Sequence, residues 1–152
     1  MRSSLKRLLS LLVPTAIIPL VAASSHVSPR GPFAKTTWDS VYSPAQAGRG
    51  ESSYAKTCAR CHGAALSGGD EATPLVGSAF LGNWSGQTVA DLQKRVVETM
   101  PSDTVGVYDK KLITDVIAFM LKANGFPAGS AELSVEADTL KAITITADKK
   151  TH

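Results

Sequence analysis

The residues best suited to chemistry are two cysteines and a histidine that lie close together in the sequence. They form the run Cys58-Ala59-Arg60-Cys61-His62, and the chain has no other cysteine. Two intervening residues place the thiols about one helical turn apart, so that both reach the vinyl groups along one edge of a haem. The side chain of His62 then lies under the iron, for which a neutral imidazole is a good ligand. The spacing C-x-x-C-H predicts covalent attachment of one haem c.

The cysteine pair has two alternative interpretations, a structural disulfide and a thiol oxidoreductase. An exported chain would favour a disulfide, because the compartment outside the cytoplasm is oxidising. A redox-active C-x-x-C pair would begin a helix that follows a strand, where the helix dipole lowers a thiol pKa. Here the pair ends a helix instead. This position favours haem over both alternatives.

The helix that leads into the motif has a clear beginning. Ser43 is the predicted N-cap, Pro44 occupies the first helical position, and Gln46 completes a capping box with Ser43. The helix is predicted to continue to about Cys58. Residues at helical spacing give it one inward face that includes the first thiol: Ala47, Gly50, Tyr54 and Cys58.

Apolar residues follow the motif in an order that suits a haem pocket. Residues 63–74 are rich in Gly and Ser and predict a loop. The next apolar residues suit the faces and edge of a macrocycle, although ordinary core packing explains Val76 and Leu81 equally well; they are Leu75, Val76, Phe80, Leu81 and Trp84. Trp84 is the candidate donor to a haem propionate, because a buried indole N–H usually needs a partner.

A second helix is predicted after Thr88, its N-cap, with Asp91 near the positive end of the helix dipole. Its inner face consists of Val89, Leu92 and Val96. Met100 continues that face, and Pro101 prevents further helix. We therefore expect Met100 to point inward from a helix end.

A third helix is predicted from about Asp109 to Asn124, where Gly125 ends it. Met120 lies in the middle of its buried stripe and is expected to pack in the core. Beyond it, a short helical stretch is predicted around residues 138–142 and a strand-like stretch at 143–146. Neither His26 nor His152 has support as a metal ligand.

The first 23 residues have the composition of a signal peptide. Arg2, Lys6 and Arg7 precede an uncharged run that two prolines interrupt and that is too short for a membrane span. We expect cleavage before Ser24, with an uncleaved anchor as the alternative. The predicted organisation is a signal peptide at 1–23, an N-terminal extension at 24–43, a haem domain at 44–128 and a C-terminal tail at 129–152. The mature protein would be periplasmic or otherwise exported, soluble and not inserted in a membrane.

The charge balance argues against nucleic acid as a partner. All 13 acidic residues lie beyond residue 23, whereas three of the 16 Lys and Arg residues precede it, so the mature chain is neutral. Such a chain lacks the broad basic face that binds a phosphate backbone.

With the motif and helices placed, the chain resembles the class I c-type cytochromes. It is similar more narrowly to the small single-haem cytochromes that accompany dehydrogenases dependent on pyrroloquinoline quinone. The matching stretches are Trp38-Asp39-Ser40-Val41-Tyr42, Gln46-Ala47-Gly48-Arg49-Gly50, Tyr54 to Gly63, Pro74-Leu75, Phe80-Leu81, Asn83-Trp84, Thr99-Met100-Pro101 and Ala123-Asn124-Gly125-Phe126-Pro127. The resemblance covers residues 38 to about 145. It implies an all-α cytochrome c fold with three main helices and shorter ones around the haem.

The resemblance also implies roles for particular residues. His62 and Met100 would be the axial ligands of the iron, and the carbonyl of Pro74 would accept a hydrogen bond from the other nitrogen of His62. Gly50 would allow the first and last helices to approach closely, which offsets the cost of about 1 kcal/mol for glycine in a helix. Gly48, a second glycine in that helix, departs from the pattern.

In the same helix crossing, Tyr54 would pack with Gly50 against Val116 and Phe119.

The function implied by the axial ligands is electron transfer without catalysis, because filled axial positions leave the iron no site for a substrate. The expected partners are redox proteins, with a quinoprotein dehydrogenase as donor, and the chain could be the electron-transfer subunit of such an enzyme. If Met100 is not a ligand, the alternative is a haem sensor or a peroxidase-like protein. If no haem is attached, it is a thiol oxidoreductase.

Overall fold

Helices dominate the part of the chain that the computed structural model describes, which comprises residues 35–70 and 72–148. The described elements are, in order, β1 (Lys35–Thr36), α1 (Pro44–Thr57), α2 (Ala59–His62), α3 (Gly77–Trp84), α4 (Val89–Thr99), α5 (Lys110–Ala123), α6 (Ala137–Lys141) and β2 (Ile143–Thr144). The expected all-α class is confirmed, with one pair of very short strands in addition.

The crossing of α1 and α5 forms the centre of the fold. Gly50 lies directly against the α5 backbone, where an added Cβ would overlap the carbonyl group of Asp115 and come within 3.0 Å of the Val116 nitrogen. The rings of Tyr54 and Phe119 lie 5.4 Å apart in a tilted arrangement. The predicted close approach of the first and last long helices is therefore present. Gly48 is exposed and has nothing within 4 Å of a built Cβ, so it takes no part in this packing.

The predicted start of α1 is correct, but its capping box is incomplete. The Ser43 hydroxyl accepts a hydrogen bond of 3.1 Å from the Gln46 backbone N–H. The Gln46 side chain does not return to Ser43. It is buried, and it donates to the Leu133 carbonyl and accepts from the Leu133 N–H. The Gln46 amide, which the local pattern assigns to the cap, thus satisfies the backbone N–H and C=O of the distant Leu133 instead.

The ends of α4 and α5 agree with the sequence signals. Thr88 and Asp91 form a reciprocal capping box at the start of α4. The carboxylate of Asp109 accepts from the Leu112 N–H at 2.7 Å at the start of α5. Gly125, with φ of +80°, follows the end of α5 in the left-handed conformation typical of a helix C-terminus.

The segments on either side of the predicted haem domain pack into the same core. The strands β1 and β2 pair in parallel, and the Trp38 indole N–H donates to the Thr146 carbonyl at 3.2 Å. Among the described residues 129–148, four buried apolar side chains belong to this core: Leu133, Leu140, Ile143 and Ile145. The described parts of the N-terminal extension and the C-terminal tail are thus integral to the fold.

The predicted signal peptide, its cleavage position, and the residues His26 and His152 lie outside the described residues. Within residues 35–70 and 72–148, no helix has the length and apolar character needed to cross a membrane.

Candidate haem site

The first residue of the motif, Cys58, lies at the break between α1 and α2, and the remaining residues, Ala59–His62, form α2. Cys58 is the C-cap of α1, and its carbonyl accepts from the His62 N–H at 3.0 Å. This bond keeps the motif helical, with both cysteines as free thiols. Cys58 is half-buried and Cys61 is exposed. The prediction that the motif ends a helix is confirmed, and the arrangement leaves both sulfurs free to form thioether bonds.

The environment of Cys58 is unlike that of a redox-active cysteine. Burial raises the pKa of the Cys58 thiol, and the hydrogen bond with Thr57 opposes this only in part. The Thr57 hydroxyl lies 3.2 Å from the sulfur. Reactive cysteines of C-x-x-C enzymes have a lowered pKa, because the thiolate is the nucleophile. The local electrostatics therefore weigh against thiol–disulfide exchange.

The imidazole of His62 is oriented by a backbone carbonyl. Its Nδ1 lies 2.9 Å from the carbonyl oxygen of Thr73. With Nδ1 as the donor, Nε2 is unprotonated and can bind a metal. The expected acceptor was the carbonyl of Pro74, and the structure corrects this by one residue. Spacing along a loop does not determine which of two successive carbonyls faces the ring.

Backbone hydrogen bonds within residues 62–75 fix the loop that supplies this carbonyl. The Gly68 N–H donates to the His62 carbonyl at 3.0 Å, and the Leu75 N–H donates to the Leu66 carbonyl at 2.8 Å. Leu66 is buried with φ of +58°, an uncommon conformation for a residue with a side chain. Thr73 thus lies between two fixed points of the loop.

Asn124 connects this loop to the end of α5. Its amide donates to the carbonyls of Leu75 and Met120 at 2.9 and 2.8 Å, and its oxygen accepts from the Gly77 N–H at 2.9 Å. The sequence identifies Asn124 as the end of a predicted helix and as part of a matching stretch, but not as part of the site. Its position directly before the helix-ending Gly125 is the one local signal that could have identified it.

The apolar residues after the loop divide into two groups. Phe80 is fully buried within the protein core, so ordinary packing accounts for it. Leu75, Val76, Leu81 and Trp84 are only partly buried against that core. Trp84 is the last residue of α3. Its hydrogen bond to a haem propionate stays a prediction.

The two candidate methionines lie in contrasting surroundings. Met120 is 2% exposed in the middle of α5, as expected for a core residue. Met100 is 38% exposed, and it does not continue the inner face of α4 as predicted. The helix ends at Thr99, and Met100 has an extended backbone with φ of −125° and ψ of 144°. Its backbone therefore leaves the helix at this residue, and its role as a ligand stays a prediction.

An ion pair joins the cysteine motif to the segment that follows Met100. The Arg60 guanidinium lies 2.7 Å from each carboxylate oxygen of Asp103. This contact places the segment after Met100 beside the helix that contains His62. Neither residue has a role predicted from the sequence, since their separation of 43 positions offers no local signal.

Residues 45–120 match the family described as cytochrome c oxidase, cbb3-type, subunit III. This chain belongs to that family of cytochrome c domains. Family membership implies a haem with iron and a function in electron transfer. A search of curated protein sequences finds no significant match.

The fold of this cytochrome c domain also occurs in a solved structure, the sulfane dehydrogenase SoxCD from Paracoccus pantotrophus. The superposition has a TM-score of 0.51 and 16% sequence identity, and it covers 89% of this chain and 68% of the other. At this identity the similarity establishes the cytochrome c fold.

The residues present fit a haem. Two free thiols stand at attachment spacing, an oriented imidazole has one nitrogen left for iron, and partly buried apolar side chains lie nearby. Haem in such a site supplies a one-electron iron couple.

Proposed function

We propose that this chain is an exported electron carrier with one haem attached covalently through Cys58 and Cys61. His62 and Met100 are the proposed axial ligands. The observation that best supports the proposal is the contact between His62 Nδ1 and the Thr73 carbonyl, because it orients a metal-binding imidazole directly after the two thiols.

In the proposed function, different residues attach the haem, orient its histidine ligand and complete the coordination of the iron. The thiols hold the group in place, and the Thr73 carbonyl keeps the His62 ring in one tautomer and orientation. Met100 would supply the second axial ligand of a bound haem, which would leave the iron no open position for oxygen or peroxide. A thioether ligand favours the ferrous state and raises the reduction potential, which suits an electron acceptor.

Covalent attachment is tested by removing both thiols. The native protein should keep its haem through acid–acetone extraction and stain for haem on a denaturing gel. Replacing Cys58 and Cys61 together by Ser should abolish the stain. Haem that remains on the denatured double variant would contradict the proposal. A protein without visible absorption, purified from cells able to attach haem, would favour the thiol oxidoreductase.

Export is tested by the intact mass of the mature protein. We expect a chain that begins at Ser24 with one haem added. A mass that retains residues 1–23 would reject cleavage.

We further propose that a dehydrogenase donates the electrons. The shared fold with a protein described as a sulfane dehydrogenase supports this class of donor, and the resemblance of residues 38–145 narrows it to a quinoprotein. Stopped-flow reduction should be fast with such an enzyme and depend only weakly on salt, because a neutral chain provides little electrostatic steering. Fast reduction by a membrane quinol oxidoreductase alone would instead indicate a respiratory chain.

A further inference from the structure

The contact between Arg60 and Asp103 connects two parts of the site that are distant in sequence. Arg60 lies between the two cysteines, and one of its terminal nitrogens contacts both carboxylate oxygens of Asp103 at 2.7 Å. The side chains are 55% and 56% exposed. The Thr104 hydroxyl also donates to Asp103 at 3.1 Å, which helps to orient the carboxylate.

The segment from residue 101 to residue 108 has few other attachments. Residues 102–107 are all exposed, and the Thr104 N–H bonds within the segment, to the Pro101 carbonyl. Among the described residues, the pair with Arg60 is the sole hydrogen bond or ion pair between this segment and the rest of the chain. Tyr108 adds only partial apolar packing.

Met100 stands at the junction of this segment with α4. Its N–H is held by the Val96 carbonyl at 3.0 Å, so the helix fixes the backbone on one side. On its C-terminal side, the position of the Met100 backbone depends on how firmly residues 101–108 are held. Weakly attached segments of this kind open locally without global unfolding.

We propose that Arg60 and Asp103 form a clasp that holds the Met100 segment against the haem motif and controls how readily the thioether leaves the iron. The inference rests on the proposed function, since it requires Met100 as a ligand. Both are positioning residues, because they contact each other and would act on the iron only through Met100. An exposed ion pair shifts an equilibrium by up to about five-fold and is weakened by salt.

The test measures how fast imidazole replaces the thioether on the oxidised haem protein. Asp103→Asn removes the charge with little change in shape and leaves the C-x-x-C-H motif intact. At low ionic strength we expect exchange to be faster by up to about five-fold, and in about 1 M salt the difference should disappear. Asp138→Asn is the matched control, because it removes an exposed pair of 2.9 Å with Lys141 on α6. Its exchange rate should equal that of the unmodified protein.

Exchanging the two charges distinguishes a clasp from a general effect on the fold. Arg60→Asp alone should accelerate imidazole exchange, because two carboxylates would then face each other, and adding Asp103→Arg should slow it again. The denaturation midpoint should change little throughout. An unchanged rate in Asp103→Asn, or no recovery in the exchanged pair, would overturn the clasp alone. A native protein without a low-spin His/Met spectrum would overturn the proposed function and the clasp together.

Discussion

The α1–α5 crossing and the segment at residues 101–108 are held to the rest of the protein in different ways, the first by close packing and the second by one exposed ion pair. At the crossing, the backbone of Gly50 touches the backbone of α5, and the side chains around it are buried. In the segment, Val105 and Val107 are exposed, and one ion pair provides the attachment to the motif. Both regions are close to the haem motif in sequence or space, yet only the first depends on exact shape.

This difference predicts that the two regions affect different properties of the protein, namely the free energy of unfolding and the exchange of the haem ligand. Close-packed interiors transmit any change in volume to their neighbours, whereas exposed segments accommodate it. We therefore expect variants of the crossing to alter the free energy of unfolding and leave the spectrum unchanged. Variants of the segment should leave the free energy of unfolding nearly unchanged, and those that break its ion pair should change how fast imidazole replaces the Met100 thioether.

The largest expected effect is the loss of the sixth ligand in Met100→Ala. The weak far-red sulfur-to-iron band of the oxidised protein should vanish, the potential should fall, and ferrous haem should bind carbon monoxide. Met120→Leu is the matched control within α5. It is a nearly volume-conserving change that should cost under about 1.5 kcal/mol and leave spectrum and potential unchanged. A band that survives in the first variant and disappears in the second would reverse the assignment.

The next effect is on stability and concerns Gly50→Ala. The new methyl group would overlap the backbone of Asp115, so the two helices must separate. We expect a loss of about 3 kcal/mol in the free energy of unfolding, at the upper end for overpacking. Urea unfolding of the haem protein measures it.

Gly48→Ala in the same helix is the matched control for Gly50→Ala. Position 48 is exposed with open space around it, so the better helix propensity of alanine should stabilise by up to about 1 kcal/mol. Equal effects at the two positions would contradict the close approach.

A smaller effect comes from Asp115, which anchors the outer edge of the crossing. Burial favours a raised pKa for this carboxyl, but hydrogen bonds from Arg49 and Lys111 outweigh it and lower the pKa. The Arg49 contacts are 3.0 and 3.1 Å. Because the folded state favours the ionised form, the stabilisation is present above the ordinary pKa of about 3.9 and is lost as the pH falls through the lower folded value.

Asp115→Asn tests this pH dependence. At pH 7 the variant should be less stable by about 1–2 kcal/mol, and this deficit should shrink on acidification. Unfolding curves at several pH values measure it. A deficit that persists unchanged in acid would show that shape, and not charge, is responsible.

The smallest effect is expected for Val105→Ser and Val107→Ser. Both side chains are exposed, so each change should alter the free energy of unfolding by less than about 0.5 kcal/mol. Thermal unfolding monitored at the haem absorption measures the change. A change larger than about 0.5 kcal/mol would show that the segment packs more tightly than its exposure indicates.

The features that the sequence predicts correctly are those encoded within a few positions. The predicted caps Ser43 and Thr88 each accept a hydrogen bond from the backbone N–H three residues ahead, so residue type and spacing suffice to identify them. The glycine at position 50 was placed correctly because the family resemblance supplied its partner helix.

The features that the sequence did not predict depend on distant partners. The side chain of Gln46 pairs with Leu133, 87 positions away. Helix α3 was not assigned, because its N-cap Val76 has no capping side chain and the Gly77 N–H is satisfied instead by Asn124. Each of these contacts exists only once the tertiary fold has brought the two segments together.

Because β1 pairs with β2 near the other end of the described chain, this part of the fold can form only after nearly all of the described residues have been synthesised. Synthesis proceeds from the N-terminus, so β1 has no partner until residues 143–144 have been made, and α1 has none until α5 has been made. Cys58 and Cys61 follow directly after α1. In a nascent chain both cysteines are therefore made before α5, the helix against which α1 packs, so the segment that contains both thiols exists before the central helix crossing can form.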